Sequence, residues 1–224
     1  MQLDSVIPWG RSLAEYRAMF NLSATDLQKN ILGCGDGPAS FNAEMGQQGY
    51  RVTSIDPIYA FSAAQIQQRV EAVHDTVVSQ VKAQSERFVW RNFADADELG
   101  KSRLHTMKTF LADYEQGKAD DRYQPQQLPT LTFQTQQFEL CLCSHLLFLY
   151  SDQLSMEFHW RSLQELLRVA AEVRVFPLLT LAGDRSPYVD PILAQLREGG
   201  HPVRIQTVDY EFQRGGNKML VITG

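Results

Sequence analysis

A chain of 224 residues with 44% apolar side chains is long enough to bury one sizeable core. Its formal net charge of −5 and scattered charges exclude the basic stripe with which proteins neutralise nucleic-acid phosphates. No run approaches the roughly 20 apolar residues of a membrane span, and three cysteines are too few for a disulfide framework. A soluble, cytoplasmic protein with neither nucleic-acid nor membrane partners is expected.

In chain order, residues 1–29 form an N-terminal segment whose amphipathic stretch 13–20 follows Trp9-Gly10-Arg11-Ser12. A first strand is expected over 30–32, ending on Gly33, then a helix over 39–45 closed by Gly46 and Gly49. A second strand over 51–55 ends at Asp56 and is stopped by Pro57. Strand, glycine turn, helix, strand and acid make the first half of a doubly wound sheet. Ile66, Val70, Val73, Val77 and Val81 then recur at helical steps.

Between Asp56 and the next strand candidate, over 122–128, lie about 65 residues, where one crossover helix needs only a fraction of that. A helical insertion over 61–115, with its second helix over 95–114, is expected to cover the carboxyl edge of the sheet as a lid. The run 138–143 is nearly continuously apolar, as in a central parallel strand buried on both faces. Cys141 and Cys143, two apart, share one face of it and read as small core residues. A helix over 154–170, a strand over 173–176 and a helix over 191–198 follow. The chain closes with strands over 203–208 and 218–222, joined through 212–217 as an antiparallel hairpin. The expectation is one α/β domain over 1–224. Its fold would be a Rossmann-like three-layer sandwich around a mostly parallel seven-stranded sheet.

In Gly33-Cys34-Gly35-Asp36-Gly37, alternating glycines let the backbone turn sharply at a strand end and let a ligand approach closely. A dinucleotide fingerprint would put its third glycine where Pro38 stands, so the spacing fits the adenosylmethionine version, whose ligand has no pyrophosphate. Asp56, about 20 residues on, is where a carboxylate accepts from both ribose hydroxyls. Its other reading is a cap on the turn before Pro57. Pro57 and Ile58 would flank adenine. Asp36 either faces the methionine end of the ligand or caps the following helix.

The order ILGCGDG, SIDP and FELCLCSH, with the closing hairpin, resembles class I S-adenosylmethionine-dependent methyltransferases over nearly the whole chain from Asn30 onward. The resemblance implies that Gly33, Gly35 and Gly37 are the family's glycine motif and Asp56 its ribose acid. It also implies that Ser144 and His145 lie beside the transferred methyl group. One position departs: Ile31 stands where the family has an acid, so Asp36, a backbone carbonyl or a residue of the insertion would take over that contact.

Gln126 and Gln127 are candidates for adenine contacts, or a solvated polar stretch. Arg11 is a candidate partner for the cofactor's carboxylate, or an ordinary surface arginine. His145 is the first candidate for a base or substrate contact; otherwise it bonds backbone in a tight turn. His74, His105, His159 and His201 have no partners at catalytic or metal spacing, and no metal is expected. Tyr150, Tyr210, Glu211 and Arg214 could reach the carboxyl edge. Phe88, Trp90, Phe93 and Phe110 either line an acceptor pocket or pack the insertion. The implied function is methyl transfer from S-adenosylmethionine to an unidentified small molecule. The alternative is a non-catalytic adenosylmethionine-binding or partner-binding protein on the same fold. A nicotinamide oxidoreductase is disfavoured by Pro38 and the hairpin.

Overall fold

The computed structural model describes residues 9–224, so the first eight positions of the expected N-terminal segment lie outside it. Its strands are β1 (Ile31–Cys34), β2 (Val52–Ile55), β3 (Tyr123–Gln124), β4 (Phe138–Ser144), β5 (Ala170–Phe176), β6 (Val203–Thr207) and β7 (Lys218–Thr223). They form one sheet in the order β3-β2-β1-β4-β5-β7-β6. β7 runs antiparallel to both neighbours and the other pairings are parallel. This is the Rossmann-like α/β fold expected from the sequence, with its terminal hairpin in the same sheet.

Strand parity divides the core. Side chains alternate across a strand, so Leu32 and Cys34 join Cys141 and Cys143 on one face. That face packs against α5 (Met156–Val169) and α6 (Val189–Glu198) through Leu163, Leu166, Ile192 and Leu196. Ile31, Leu140 and Leu142 lie on the other, against α1 (Leu13–Met19) and α2 (Phe41–Gln47) through Tyr16, Phe20 and Phe41. The central strands are buried on both faces, which is why 138–143 reads as unbroken hydrophobicity.

The segment after β2 holds two long helices, α3 (Ala63–Ala83) and α4 (Ala96–Ala119). Each starts on a side-chain cap. Ser62 and Gln65 form a reciprocal capping box on α3, and Asp95 accepts from the amides of Asp97 and Glu98 on α4. α4 runs past residue 115 almost into β3 and packs on α2, so it is itself the β2-to-β3 crossover. The added element is α3 with its connection to α4. β3 is only two residues long where 122–128 was expected, because Pro125 has no amide to continue the ladder.

Candidate functional site

The glycine turn is built by the acid at the end of β2. Gly35, at φ 71°, donates its amide to the Ile55 carbonyl at 3.0 Å, closing the turn against β2. The Gly37 amide donates to Asp56 Oδ2 at 3.0 Å and the Ile58 amide to Oδ1 at 2.9 Å. Asp56 therefore does cap the turn at Pro57–Ala60. Each of its oxygens still has a lone pair for another donor. Burial raises its pKa. Tyr59 Oη holds the loop from the other side, donating to the Gly37 carbonyl at 2.7 Å.

Asp36 neither caps α2, whose N-cap is Ser40, nor extends freely to a ligand. Its carboxylate is 6% exposed and turns inward, accepting from Tyr16 Oη at 2.6 Å and Ser54 Oγ at 2.5 Å. Burial pushes its pKa up to about 7, against the two hydroxyl bonds, with the neighbouring Asp56 charge adding to the rise. A β-carbon at Gly33 would collide with this carboxylate. Gly33 is thus glycine because Asp36 occupies the space a side chain would need, and Gly33 does not itself line the cavity.

Arg11 is the least satisfied group of the site. Its Nη1 donates to the Trp9 carbonyl at 2.8 Å, and its buried Nε has no partner among the described residues. The nearby Glu15 carboxylate is taken by Arg103, with Nη1 to Oε2 at 2.5 Å and Nη2 to Oε1 at 2.6 Å, and by Tyr210 Oη at 3.0 Å. Burial and the Arg103 charge both lower the pKa of Arg11. Two guanidinium groups thus lie near one carboxylate, which Arg103 and Tyr210 already occupy.

His145 follows β4 at φ 53°, in the left-handed region that a non-glycine residue enters only when held there. Its amide donates to the Phe176 carbonyl at 2.7 Å, and its Nδ1 is hydrogen bonded to Ser144 Oγ at 3.0 Å. Burial, then Arg11 and Arg103, hold its pKa well below the ordinary histidine value, so the imidazole is neutral at pH 7. Ser144 shares the parity of Leu140 and Leu142, which turns its side chain to the α1 face. It bonds His145 and does not itself line the cavity.

These elements open on one cavity of about 650 Å³ at the carboxyl ends of β1, β2 and β4. Of the sequence-derived candidates it gathers Arg11, Cys34, Gly35, Asp36, Gly37, Asp56, Pro57, Ile58, Gln126, Gln127, His145, Tyr150 and Tyr210. Gly33, Ser144, Glu211 and Arg214 do not line it. Glu211 instead accepts from the Gly215 amide, and Arg214 bonds the carbonyls of Glu86 and Phe88. The Gln126 side chain is engaged at both ends, with Gln124 and the Thr132 amide. Phe88 lines the cavity, whereas Phe93 packs with Val77 and Leu99, and Phe110 against Tyr59, Tyr114 and Tyr123. Sequence reasoning missed Phe61, Arg69, Arg87, Phe176 and Phe212 on the wall and Glu15 and Arg103 behind it. Only the helical spacing of α3 carried a signal for any of these, since the rest come together through tertiary contacts.

No family model matches the chain. Uncharacterized protein MJ0045 of Methanocaldococcus jannaschii is 35% identical over 223 residues, which covers 99% of this chain and 98% of that one. This chain belongs to the MJ0045 family. Solved structures with similar coordinates include magnesium protoporphyrin IX methyltransferase of Synechocystis PCC 6803 with bound SAH, at 12% identity and TM-score 0.49, covering 93% of this chain and 80% of that one. A Thermotoga maritima structure described as a SAM-dependent methyltransferase and possible histamine N-methyltransferase has 12% identity and TM-score 0.45, covering 94% and 87%. Strand order and pairing, not these overlaps, define the fold. Among the described residues of this MJ0045-family chain, no helix is long and apolar enough to cross a membrane.

Proposed function

We propose that this protein binds S-adenosylmethionine and transfers its methyl group to a small molecule held in the same cavity. The observation that carries the reading is that Asp56 and Arg11 line the same cavity as the glycine turn. A carboxylate with lone pairs to spare suits a ribose diol, and a guanidinium with no carboxylate bonded to it suits an α-carboxylate. The glycine turn between them leaves room for the ligand's backbone-facing side. Pro57, Ile58 and the half-exposed Phe61 offer apolar surface for a nucleobase.

When bound, the cofactor supplies an activated methyl group on a sulfonium, so the protein's work is orientation, desolvation and proton management. The cavity wall is largely apolar, which excludes water from the reacting centre. Because His145 is neutral, it can accept a hydrogen bond from the acceptor through Nε2, while Ser144 fixes the ring at Nδ1. Asp36 does not touch the ligand in this reading. It joins α1 to β2 beneath the glycine turn, the structural side of what an acid at position 31 would do.

Calorimetric titration of adenosylhomocysteine into the wild type and Arg11→Gln tests the reading. Removing a charge-assisted partner should weaken binding by about 1.5 to 3 kcal/mol, or roughly 10- to 150-fold. Equal affinity in the two proteins would take Arg11 out of the site, and no binding to either would overturn the reading.

A further inference from the structure

We propose that the methyl acceptor is an apolar small molecule carrying a carboxylate, which Arg87 holds by charge. The inference rests on the reading of the cavity as a methyltransferase site and names its substrate class.

Charge is distributed unevenly around the cavity. The acidic side chains lining it are Asp36 and Asp56, and both are bonded at the glycine turn. The wall built by α3, its connection to α4 and the β6–β7 connection is apolar through Val77, Val81, Phe88 and Phe212. The charged groups on that wall are Arg69, exposed on α3, and the half-buried Arg87. Neither has an ion-pair partner among the described residues.

Arg87 is nonetheless held in place. It donates to Gln84 Oε1 at 2.5 Å and to the carbonyls of Leu181 and Ala182. Those are dipoles, which orient a guanidinium without cancelling its charge. Phe88, next in sequence, stacks on Phe212 with ring centroids 4.7 Å apart. The cation is therefore held on a largely apolar cavity wall, where the low dielectric strengthens its attraction for an anion. A protonated amine in the same place would meet a like charge and no acidic partner on that wall. A carboxylate can accept from the planar guanidinium, and its apolar body can lie against Phe88, Phe212 and Val81. With its charge anchored there, the rest of the acceptor extends toward His145, which is neutral and so does not compete for the anion.

Isothermal titration into protein saturated with adenosylhomocysteine tests this with three probes of one shape: 3-phenylpropanoate, 3-phenylpropan-1-ol and 3-phenylpropylamine. The expected result is that the propanoate binds at least tenfold more tightly than the alcohol or the amine. Arg87→Gln should reduce that preference while adenosylhomocysteine affinity stays unchanged, and Arg69→Gln, toward the other end of α3, should leave the preference in place. Arg69 is exposed, so its variant folds whatever Arg87 contributes to packing. Amine or alcohol binding as tightly as the propanoate, or a preference that survives Arg87→Gln, would overturn the acceptor class while leaving the cofactor reading intact. Failure of adenosylhomocysteine to bind the wild type would remove both.

Discussion

Arg103 of α4 forks onto Glu15 of α1, with both nitrogen-to-oxygen distances at 2.5 to 2.6 Å, and joins segments 88 residues apart in the chain. Tyr210 of the β6–β7 connection donates to the same carboxylate, so one buried acid ties the N-terminal segment, the crossover helix and the hairpin together. Arg11, beside it, competes for the same negative charge.

The two ends of that pair should respond differently to mutation. Glu15→Gln leaves two buried guanidinium groups with no counter-charge and should cost about 3 to 5 kcal/mol of stability. Arg103→Met leaves Glu15 free to turn to Arg11 and should cost less. Urea unfolding at pH 7 measures both, and an Arg103→Met loss equal to or larger than that of Glu15→Gln would rule out the shared-carboxylate account.

Asp36 gives stability an unusual pH dependence. Its folded pKa of about 7 lies above the ordinary value of 3.8, so between these the folded state holds a proton that the unfolded state has released. The contribution is full below pH 3.8 and is lost as pH rises toward 7, at up to about 1.4 kcal/mol per pH unit. Asp36→Asn, which keeps partners for Tyr16 and Ser54, should gain stability relative to the wild type as pH is raised from 5 to 7. A difference that does not move, or moves the other way, in denaturant titrations across that range would mean Asp36 is an ordinary ionised carboxylate.

Asp56→Ala removes the acceptor for the Gly37 and Ile58 amides as well as the proposed ribose contact. Two separate losses should be measurable: about 1 kcal/mol of stability from the lost cap, and about 1.5 to 3 kcal/mol of adenosylhomocysteine binding. Calorimetry well below the melting temperature separates them. Unchanged affinity would place the ribose elsewhere.

The frame of this fold was legible because it depends on local signals. Apolar runs marked β1 and β4, Gly46 and Gly49 marked the end of α2, and valines at helical steps marked α3. What could not be read depends on tertiary partners. Nothing in the sequence around Arg103 distinguishes a fully buried arginine from the exposed ones on the same helix, since its partner lies 88 residues away. Gly33 reads as a ligand glycine until Asp36 is seen folded back over it. Ser144 and His145 are adjacent and hydrogen bonded to each other, but only His145 reaches the cavity. α4 reads as insertion because the brevity of β3 hides where the crossover ends.

The α3–α4 connection closes the cavity through the Val89 amide bonded to the Phe212 carbonyl at 2.7 Å and the stacked Phe88 and Phe212 rings. If this cover opens to admit ligand, residues 85–93 exchange amide hydrogens faster in the free protein and gain protection when adenosylhomocysteine is added. Equal, high protection in both states, read by mass spectrometry, would make it a fixed wall.

The central claim, that this cavity is built for S-adenosylmethionine, is tested most directly by thermal unfolding with adenosylmethionine, adenosylhomocysteine or NAD added separately. A ligand at 100 times its Kd stabilises the native state by about 2.7 kcal/mol, which for a chain of this size raises Tm by roughly 5 to 10 °C. Adenosylmethionine and adenosylhomocysteine should both produce such a shift and NAD none. A Tm raised by NAD, and unmoved by either adenosyl compound at millimolar concentration, would contradict the account.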